Sequence, residues 1–159
     1  MAHAQSLDGL LDKAEITDLI HAYCLHFDRA EPEAVTALFT PDAVIDYGPD
    51  VPPMTGAAQF GPMIARGLAE TFAATSHHVS NIMIRFDGPD AATSICHLYA
   101  WHRYRTRAGS SELWAQYHHS FRRTAQGWRI SRLRLCAAGM EDFHRDNMHP
   151  VGRRTPAPD

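Results

Sequence analysis

From Ala92 to Thr106 the chain reads ATSICHLYAWHRYRT, with apolar and aromatic residues at both odd and even positions. Successive side chains of a β-strand point to opposite faces of its sheet. A soluble monomer rarely exposes two such faces to water. We therefore expect a strongly curved sheet that wraps helices with one face and packs against a second subunit with the other. One face carries Leu98, Ala100, His102 and Tyr104, and the other carries His97, Tyr99, Trp101 and Arg103.

Three further segments of similar pattern accompany this one, and turn-forming sequences separate all four. The turns are DGPD at 87–90, RAGS at 107–110 and TAQG at 124–127, each typical of a β-hairpin. The four predicted strands are His77–Phe86, Ala92–Thr106, Glu112–Arg123 and Trp128–Ala137.

The N-terminal half of the chain has a helical pattern instead. Apolar residues recur at helical intervals over Leu7–Arg29, with Leu11 on the apolar face and Asp12 on the polar face. Helices followed by antiparallel strands predict the α+β class and not a doubly wound parallel sheet. We expect one domain over residues 1–150 and a flexible tail over 151–159. The other predicted elements are helices at Pro32–Leu38 and Ala57–Ala73, the second interrupted at Gly61-Pro62, and a short strand at Ala43–Tyr47.

Composition narrows the function classes. The 159 residues carry a formal net charge of −3, with 45% hydrophobic and 21% charged residues. These values are typical of a globular protein and give no electrostatic reason to bind nucleic acid or an anionic membrane. No apolar run approaches the roughly 20 residues that span a bilayer, and no secretory signal is visible. The three cysteines are widely spaced, which favours reduced thiols and a cytoplasmic location.

Two positions place a titratable group in an apolar setting. Asp28 ends the segment YCLHFD (23–28), where a buried carboxylate needs a partner. His77 lies in TSHHVSN (75–81), and because it neighbours His78 on a strand, only one of the two can face a given pocket. Each position also has an ordinary structural interpretation, since an aspartate often begins a turn and a lone histidine often only packs.

The spacing of these residues resembles a known superfamily. Tyr23-x4-Asp28 is followed about fifty residues later by Thr75-x-His77-x3-Asn81, and then by the long strands. Over Leu7–Ala137 this arrangement resembles the SnoaL-like, nuclear transport factor 2-like superfamily, whose members include scytalone dehydratase, hexachlorocyclohexane dehydrochlorinase and bile acid 7α-dehydratase. The resemblance implies a cone-shaped α+β barrel of the cystatin-like kind, with N-terminal helices packed in a strongly curved mixed or antiparallel sheet.

The resemblance also implies roles for individual residues. Asp28 and His77 match the Asp–His dyad of the family, and Tyr23 and His102 fall at positions of a second catalytic group. Leu133 stands where the dehydrochlorinase has an arginine, which favours loss of water over loss of halide. The residues expected to line the substrate pocket are Leu98, Ala100, Leu113, Tyr117 and Leu133.

The residue types support the same chemistry without the family. A carboxylate bonded to one imidazole nitrogen fixes the tautomer and makes the other nitrogen a stronger base. His77 would remove a proton next to a carbonyl group or aromatic ring, while Tyr23 or His102 would donate to the departing hydroxyl or to an enolate. No metal or organic cofactor is needed. A metal site at His97 and His118 is a minor alternative, because their spacing matches no closed site.

We therefore expect a cofactor-independent lyase of the dehydratase type, acting on a small cyclic or aromatic hydroxylated metabolite and assembled as a homodimer or homotrimer. Three alternatives stay open: an isomerase or cyclase with the same dyad, a non-catalytic ligand-binding module, and a structural small subunit like that of ring-hydroxylating dioxygenases. The segment Met140–His149 is expected to form either a lid over the pocket or a docking segment for a neighbouring subunit.

Overall fold

The computed structural model describes residues 6–154, so residues ahead of Ser6 and the last part of the predicted tail, 155–159, lie outside the described residues. The helices are α1 (Leu7–Asp28), α2 (Pro32–Ala37) and α3 (Ala57–Arg66), followed by a π-helical turn at Gly67–Thr71. The strands are β1 (Phe39–Asp46), β2 (Met54–Thr55), β3 (Phe72–Phe86), β4 (Ala91–Tyr104), β5 (Ser110–Thr124), β6 (Gly127–Glu141) and β7 (His149–Pro150).

The strands within residues 6–154 form one mixed sheet in the order β2-β1-β6-β5-β4-β3, with β7 beside β6. The pairs β1–β6 and β6–β7 are parallel, and the other neighbours are antiparallel. Helix α1 contacts both β3, at one edge, and β6, because the sheet curves around it. This cone-shaped arrangement of helices in a curved sheet confirms the predicted α+β class.

The alternation predicted for β4 is also confirmed. Leu98, Ala100, His102 and Tyr104 are all buried on the inner face, while Tyr99 and Trp101 are partly exposed on the outer face. The inner face joins residues of α1 such as Ile16, Ile20 and Tyr23 in one hydrophobic core.

Two element boundaries differ from the prediction. The third helix is α-helical to Arg66 and π-helical to Thr71, and it stops short of Ala73 because residues from Phe72 onward pair with the far end of β4 and belong to β3. Pro62 does not interrupt α3, whose apolar face is held in the core by Phe60 and Ile64. None of the helices within residues 6–154 combines the length and apolar character that a bilayer crossing requires.

The first turns of α1 overturn one predicted orientation. Ser6 accepts a hydrogen bond from the Gly9 amide and begins the helix as an N-cap. Leu11 is 61% exposed and Asp12 only 5%, the reverse of the amphipathic pattern. Asp12 is buried because it has polar partners there. The Trp128 indole donates to Asp12 Oδ1 at 3.0 Å, and Arg123 forms an ion pair with the same carboxylate. This carboxylate fastens the start of α1 to the β5–β6 hairpin.

We predict that Asp12→Ala lowers the free energy of unfolding by about 2 kcal/mol or more, because it leaves the buried indole N–H without its acceptor and removes one of the two acidic partners of Arg123. Asp18→Ala, an exposed position on the same helix, is the matched control and should change stability by less than about 0.5 kcal/mol. Urea denaturation of the two variants checks this, and equal effects would contradict an anchoring role for Asp12.

Candidate active site

The last residue of α1 meets the first half of β3. Asp28 Oδ1 lies 2.6 Å from His77 Nδ1 and accepts a hydrogen bond from Thr75 Oγ1 at 2.8 Å, while Oδ2 accepts the main-chain N–H of His77 at 2.8 Å. Thr75 and His77 lie two residues apart on one strand, so both side chains point to the same face. Three donors therefore converge on one carboxylate, and the contact expected between Asp28 and His77 is present.

These hydrogen bonds determine the charge of the carboxylate and the tautomer of the histidine. Burial alone would raise the pKa of Asp28, but the hydrogen bonds from His77 and Thr75 outweigh it and bring the pKa below its ordinary value. An ionised carboxylate only accepts, so the proton between the two groups is placed on Nδ1 of His77. Nε2 has no hydrogen-bond partner among residues 6–154. It is therefore the nitrogen that can act as a base.

The His77 ring lies in the wall of a cavity of about 550 Å³, within the range of small-molecule sites. Its side chain is only 5% exposed, and its ring packs edge-on against Phe27 and His102, with centroids 5.0 and 5.2 Å away. The cavity opens at a rim that includes the exposed Arg66, which is paired with Glu70. The arrangement is a half-enclosed, largely apolar site with the His77 imidazole in its wall.

Tyr23 supplies a neutral phenol to the same cavity. Its hydroxyl lies 2.6 Å from that of Tyr47, and both side chains line the cavity. Burial raises the pKa of Tyr23 well above its usual value and also raises the pKa of Tyr47. Both phenols therefore keep their protons at neutral pH and can act as hydrogen-bond donors. Tyr47 was predicted only as the end of a short strand and was not singled out as a site residue, because nothing in the local sequence indicates that its hydroxyl meets that of Tyr23.

His102 lies beside His77 as expected, but its electrostatic setting differs. The residue is 4% exposed, and its Nδ1 lies 3.5 Å from Ser111 Oγ. Burial, together with the nearby His77 and His144, lowers the pKa of His102 to about 3. It is therefore a neutral imidazole at physiological pH, able to donate one N–H hydrogen bond but not to serve as an imidazolium acid.

Three of the five predicted lining residues, Leu98, Leu113 and Tyr117, border the cavity, and two do not. Ala100 is fully buried, with a methyl group too short to reach past its longer strand neighbours. The Leu133 side chain points to the inner face of the sheet, but Leu133 is the register partner of His119. This pair lies one inward-facing position farther from the cavity than the pair that includes Tyr117. The residue of β6 that reaches the cavity is Leu135, the register partner of Tyr117.

The segment between β6 and β7 contributes lining residues that sequence patterns did not identify. Phe143, His144 and Arg145 all border the cavity, so the region predicted as a lid or a docking segment lies at the pocket. Arg145 donates from a terminal nitrogen to the main-chain oxygen of Tyr47 at 2.7 Å. The apolar-basic triplet inside an otherwise polar segment was the only signal available for these positions.

With this geometry in view, comparison with known proteins identifies the family. The family described as the SnoaL-like domain matches residues 8–134. The chain belongs to the SnoaL-like family. A relative of undefined function from Mycobacterium tuberculosis is 31% identical over 134 residues, covering 80% of this SnoaL-like chain and 86% of the relative.

Solved structures extend the likeness. A provisionally assigned scytalone dehydratase from Novosphingobium aromaticivorans has a TM-score of 0.86 and 28% identity, covering 92% of this chain and 97% of its own. The hexachlorocyclohexane dehydrochlorinase LinA-type3 from Novosphingobium barchaimii has a TM-score of 0.78 and 16% identity, covering 91% and 99%, and so shares the fold. A nuclear transport factor 2-like protein of Salmonella enterica also shares it. The activities named in the first two act on small molecules.

The other titratable groups that the sequence singled out have local partners. His118 Nε2 lies 3.1 Å from Gln116 Oε1, and His97 Nδ1 lies 3.3 Å from the Asn81 amide. Over residues 6–154 no three histidine, cysteine or acidic side chains are grouped as a metal would require. Three arginines of β5 and β6 pair with acidic residues: Arg122 with Asp42, Arg123 with Asp12 and Asp90, and Arg134 with Asp46.

We predict that Asp28→Asn lowers the free energy of unfolding by about 1 to 2 kcal/mol at neutral pH, and that this deficit shrinks on acidification. The folded-state pKa of Asp28 is lowered, so its stabilising contribution is complete above the unfolded-state pKa of about 3.9 and disappears as pH falls through the folded value. Urea denaturation of both proteins at neutral and acidic pH measures the deficit. A deficit that grows with acidity would contradict an ionised, hydrogen-bonded Asp28.

Proposed function

We propose that this protein is a cofactor-independent lyase of the dehydratase type, acting on a small cyclic or aromatic hydroxylated compound. The proposal rests on one observation above all: the Asp28–His77 pair lies in the wall of a half-enclosed, largely apolar cavity. A structural pair in a packed core would have no accessible nitrogen and no space for a ligand beside it.

His77 is the base. Its Nε2 takes a proton from the carbon next to a carbonyl group, and the resulting imidazolium is stabilised by the Asp28 carboxylate bonded to Nδ1. Such proton transfer contributes roughly 10²- to 10⁴-fold to a rate, which suffices for an activated C–H bond. The carbonyl group that activates the bond must therefore be part of the substrate.

Tyr23 and Tyr47 are the groups suited to the carbonyl oxygen. As the proton leaves carbon, negative charge develops on this oxygen, and a hydrogen bond to a neutral phenol stabilises it. The 2.6 Å contact between the two hydroxyls orients one phenol and leaves the other hydroxyl proton available to the substrate. Both phenols are protonated at neutral pH, as their raised pKa values require.

The departing hydroxyl takes its proton from the His77 imidazolium. Its C–O bond breaks as the carbon–carbon double bond forms, and the proton first removed from carbon leaves as part of water. The reaction therefore balances: the substrate loses one molecule of water, and the protein gains or loses no net proton or electron. Neutral His102, whose pKa is about 3, contributes an N–H hydrogen bond to the substrate and not a proton.

The relatives support elimination chemistry. The provisionally assigned scytalone dehydratase is named for loss of water and the dehydrochlorinase for loss of hydrogen chloride, and both structures resemble this chain over nine-tenths of its length or more. Loss of water is proposed here, because Leu133 stands where the dehydrochlorinase is expected to carry an arginine and is buried in the core.

We also propose that the protein is a cytoplasmic homodimer or homotrimer. The outer face of the sheet exposes Met83, Ile95 and Trp114, three large apolar side chains on neighbouring strands, which a second copy would cover. The described cysteines Cys24, Cys96 and Cys136 are buried free thiols, in keeping with a reducing compartment.

The test is a screen of cyclic β-hydroxyketones, with and without a carboxylate substituent, in which loss of water produces a conjugated enone with strong ultraviolet absorbance. We predict that His77→Ala lowers kcat/KM for any substrate found by at least about 10²-fold, because the base is lost. His78→Ala is the matched control: this residue is the exposed neighbour on the same strand, and its removal should leave turnover within about twofold.

Thermal unfolding of both variants should remain close to that of the wild type. If His77→Ala folds normally and still eliminates water at the wild-type rate, the base is another group. If no hydroxyketone is turned over while ligands still bind in the cavity, the protein is a binding module and the lyase proposal is wrong.

A further inference from the structure

Arg145 lies in the cavity wall next to the two phenols. Its guanidinium donates to the main-chain oxygen of Tyr47 at 2.7 Å, and its central carbon lies 5.3 Å from the centre of the Tyr47 ring. The Tyr47 hydroxyl in turn contacts Tyr23. The cation therefore stands at the same part of the cavity as the groups that face the substrate oxygen.

The charge of Arg145 is not neutralised by the protein. Within residues 6–154 no carboxylate oxygen lies within 4.0 Å of its guanidinium nitrogens. Asp50, an acidic residue whose charge still reaches it, uses both oxygens on Asp146 and Asn147. A guanidinium has five N–H donors, and one carbonyl satisfies one of them. Because partial burial of an unpaired cation is costly, the arrangement favours an anion supplied by a ligand.

The segment that carries Arg145 is fixed on both sides. His149 Nε2 lies 2.8 Å from Oδ1 of the buried Asp46, and β7 pairs with β6 from the same residue. Asp50 accepts hydrogen bonds from the Asp146 and Asn147 amides and from the Asn147 side chain. These contacts hold the guanidinium at the cavity before any ligand arrives, so little entropy is lost on binding.

We propose that Arg145 binds a carboxylate group of the substrate, so that the lyase proposed above acts on a cyclic or aromatic hydroxy-acid and not on a neutral alcohol. A planar guanidinium matches a carboxylate with two parallel hydrogen bonds. The cavity also favours a monoanion, because the other arginine that lines it, Arg66, is already paired with Glu70 and leaves one positive charge to be balanced. A dianionic phosphate would leave a negative charge uncompensated.

The inference rests on the proposed function only in calling the ligand a substrate, so the test measures binding without turnover. Isothermal titration calorimetry with a naphthalene carboxylate and the matching carboxamide compares two probes of one shape that differ in charge. We predict that wild-type protein binds the carboxylate about tenfold or more tightly than the carboxamide, and that Arg145→Gln abolishes this preference. Arg145→Lys should keep part of it, since the charge remains without the planar fork.

Arg85→Gln is the matched control, because it removes an exposed arginine that is paired with Asp87 outside this cavity, and it should keep the full preference. Equal wild-type affinities for the two probes would overturn the proposal, as would an undiminished preference in folded Arg145→Gln or an equal loss in Arg85→Gln. His77→Ala should retain the preference whether or not elimination occurs. Failure of the lyase proposal would therefore leave a carboxylate preference at Arg145, whereas failure at Arg145 would leave elimination intact.

Discussion

The hydrogen bond between Asp28 and His77 joins the end of the first helix to the sheet, and the geometry of the site depends on it. The carboxylate holds both the main-chain N–H and Nδ1 of His77, so it fixes the strand and the orientation of the ring together. At the other end of α1, Asp12 binds the Trp128 indole on the β5–β6 hairpin. The helix is thus held at both ends by carboxylates, with Asp12 buried and Asp28 partly buried, and the cavity is the space left between its second half and the sheet.

The groups around the cavity differ in charge in a way that suits proton transfer. Asp28 is anionic, Arg145 is cationic, and Tyr23, Tyr47 and His102 are neutral, each for a physical reason in its surroundings. Hydrogen bonds to the charged form lower the pKa of Asp28, whereas burial raises the pKa of the phenols and lowers that of His102. In the proposed reaction His77 is the base, because its Nδ1 is bonded to an anionic carboxylate and its Nε2 has no hydrogen-bond partner among residues 6–154.

Much of this could be predicted from local patterns. The alternation along β4 predicted which of its residues face inward, and the three turn sequences predicted the hairpins. The spacing around Asp28 and His77 indicated the family and the pair. These features succeed because they depend on period and spacing, which the sequence displays directly.

The remaining features depend on partners far away in the chain. Asp12 is buried because Trp128 and Arg123 satisfy it, a reason that helical periodicity cannot show. Leu133 was assigned the correct face of β6 but the wrong depth, since only strand register places Leu135 opposite Tyr117. Arg145 lies in an irregular segment that has no period at all. Its position follows from contacts of Asp46 and Asp50, about a hundred residues earlier in the sequence.

The central claim is that Asp28 makes Nε2 of His77 the basic nitrogen, and nitrogen NMR of the imidazole ring measures this directly. In labelled wild-type protein at about pH 9, above the usual titration range of histidine, the account predicts a proton on Nδ1 and a lone pair on Nε2. Asp28→Asn should remove this bias toward a single tautomer. A wild-type spectrum with the proton on Nε2 would contradict the account, because the nitrogen facing the substrate would then have no lone pair to accept a proton.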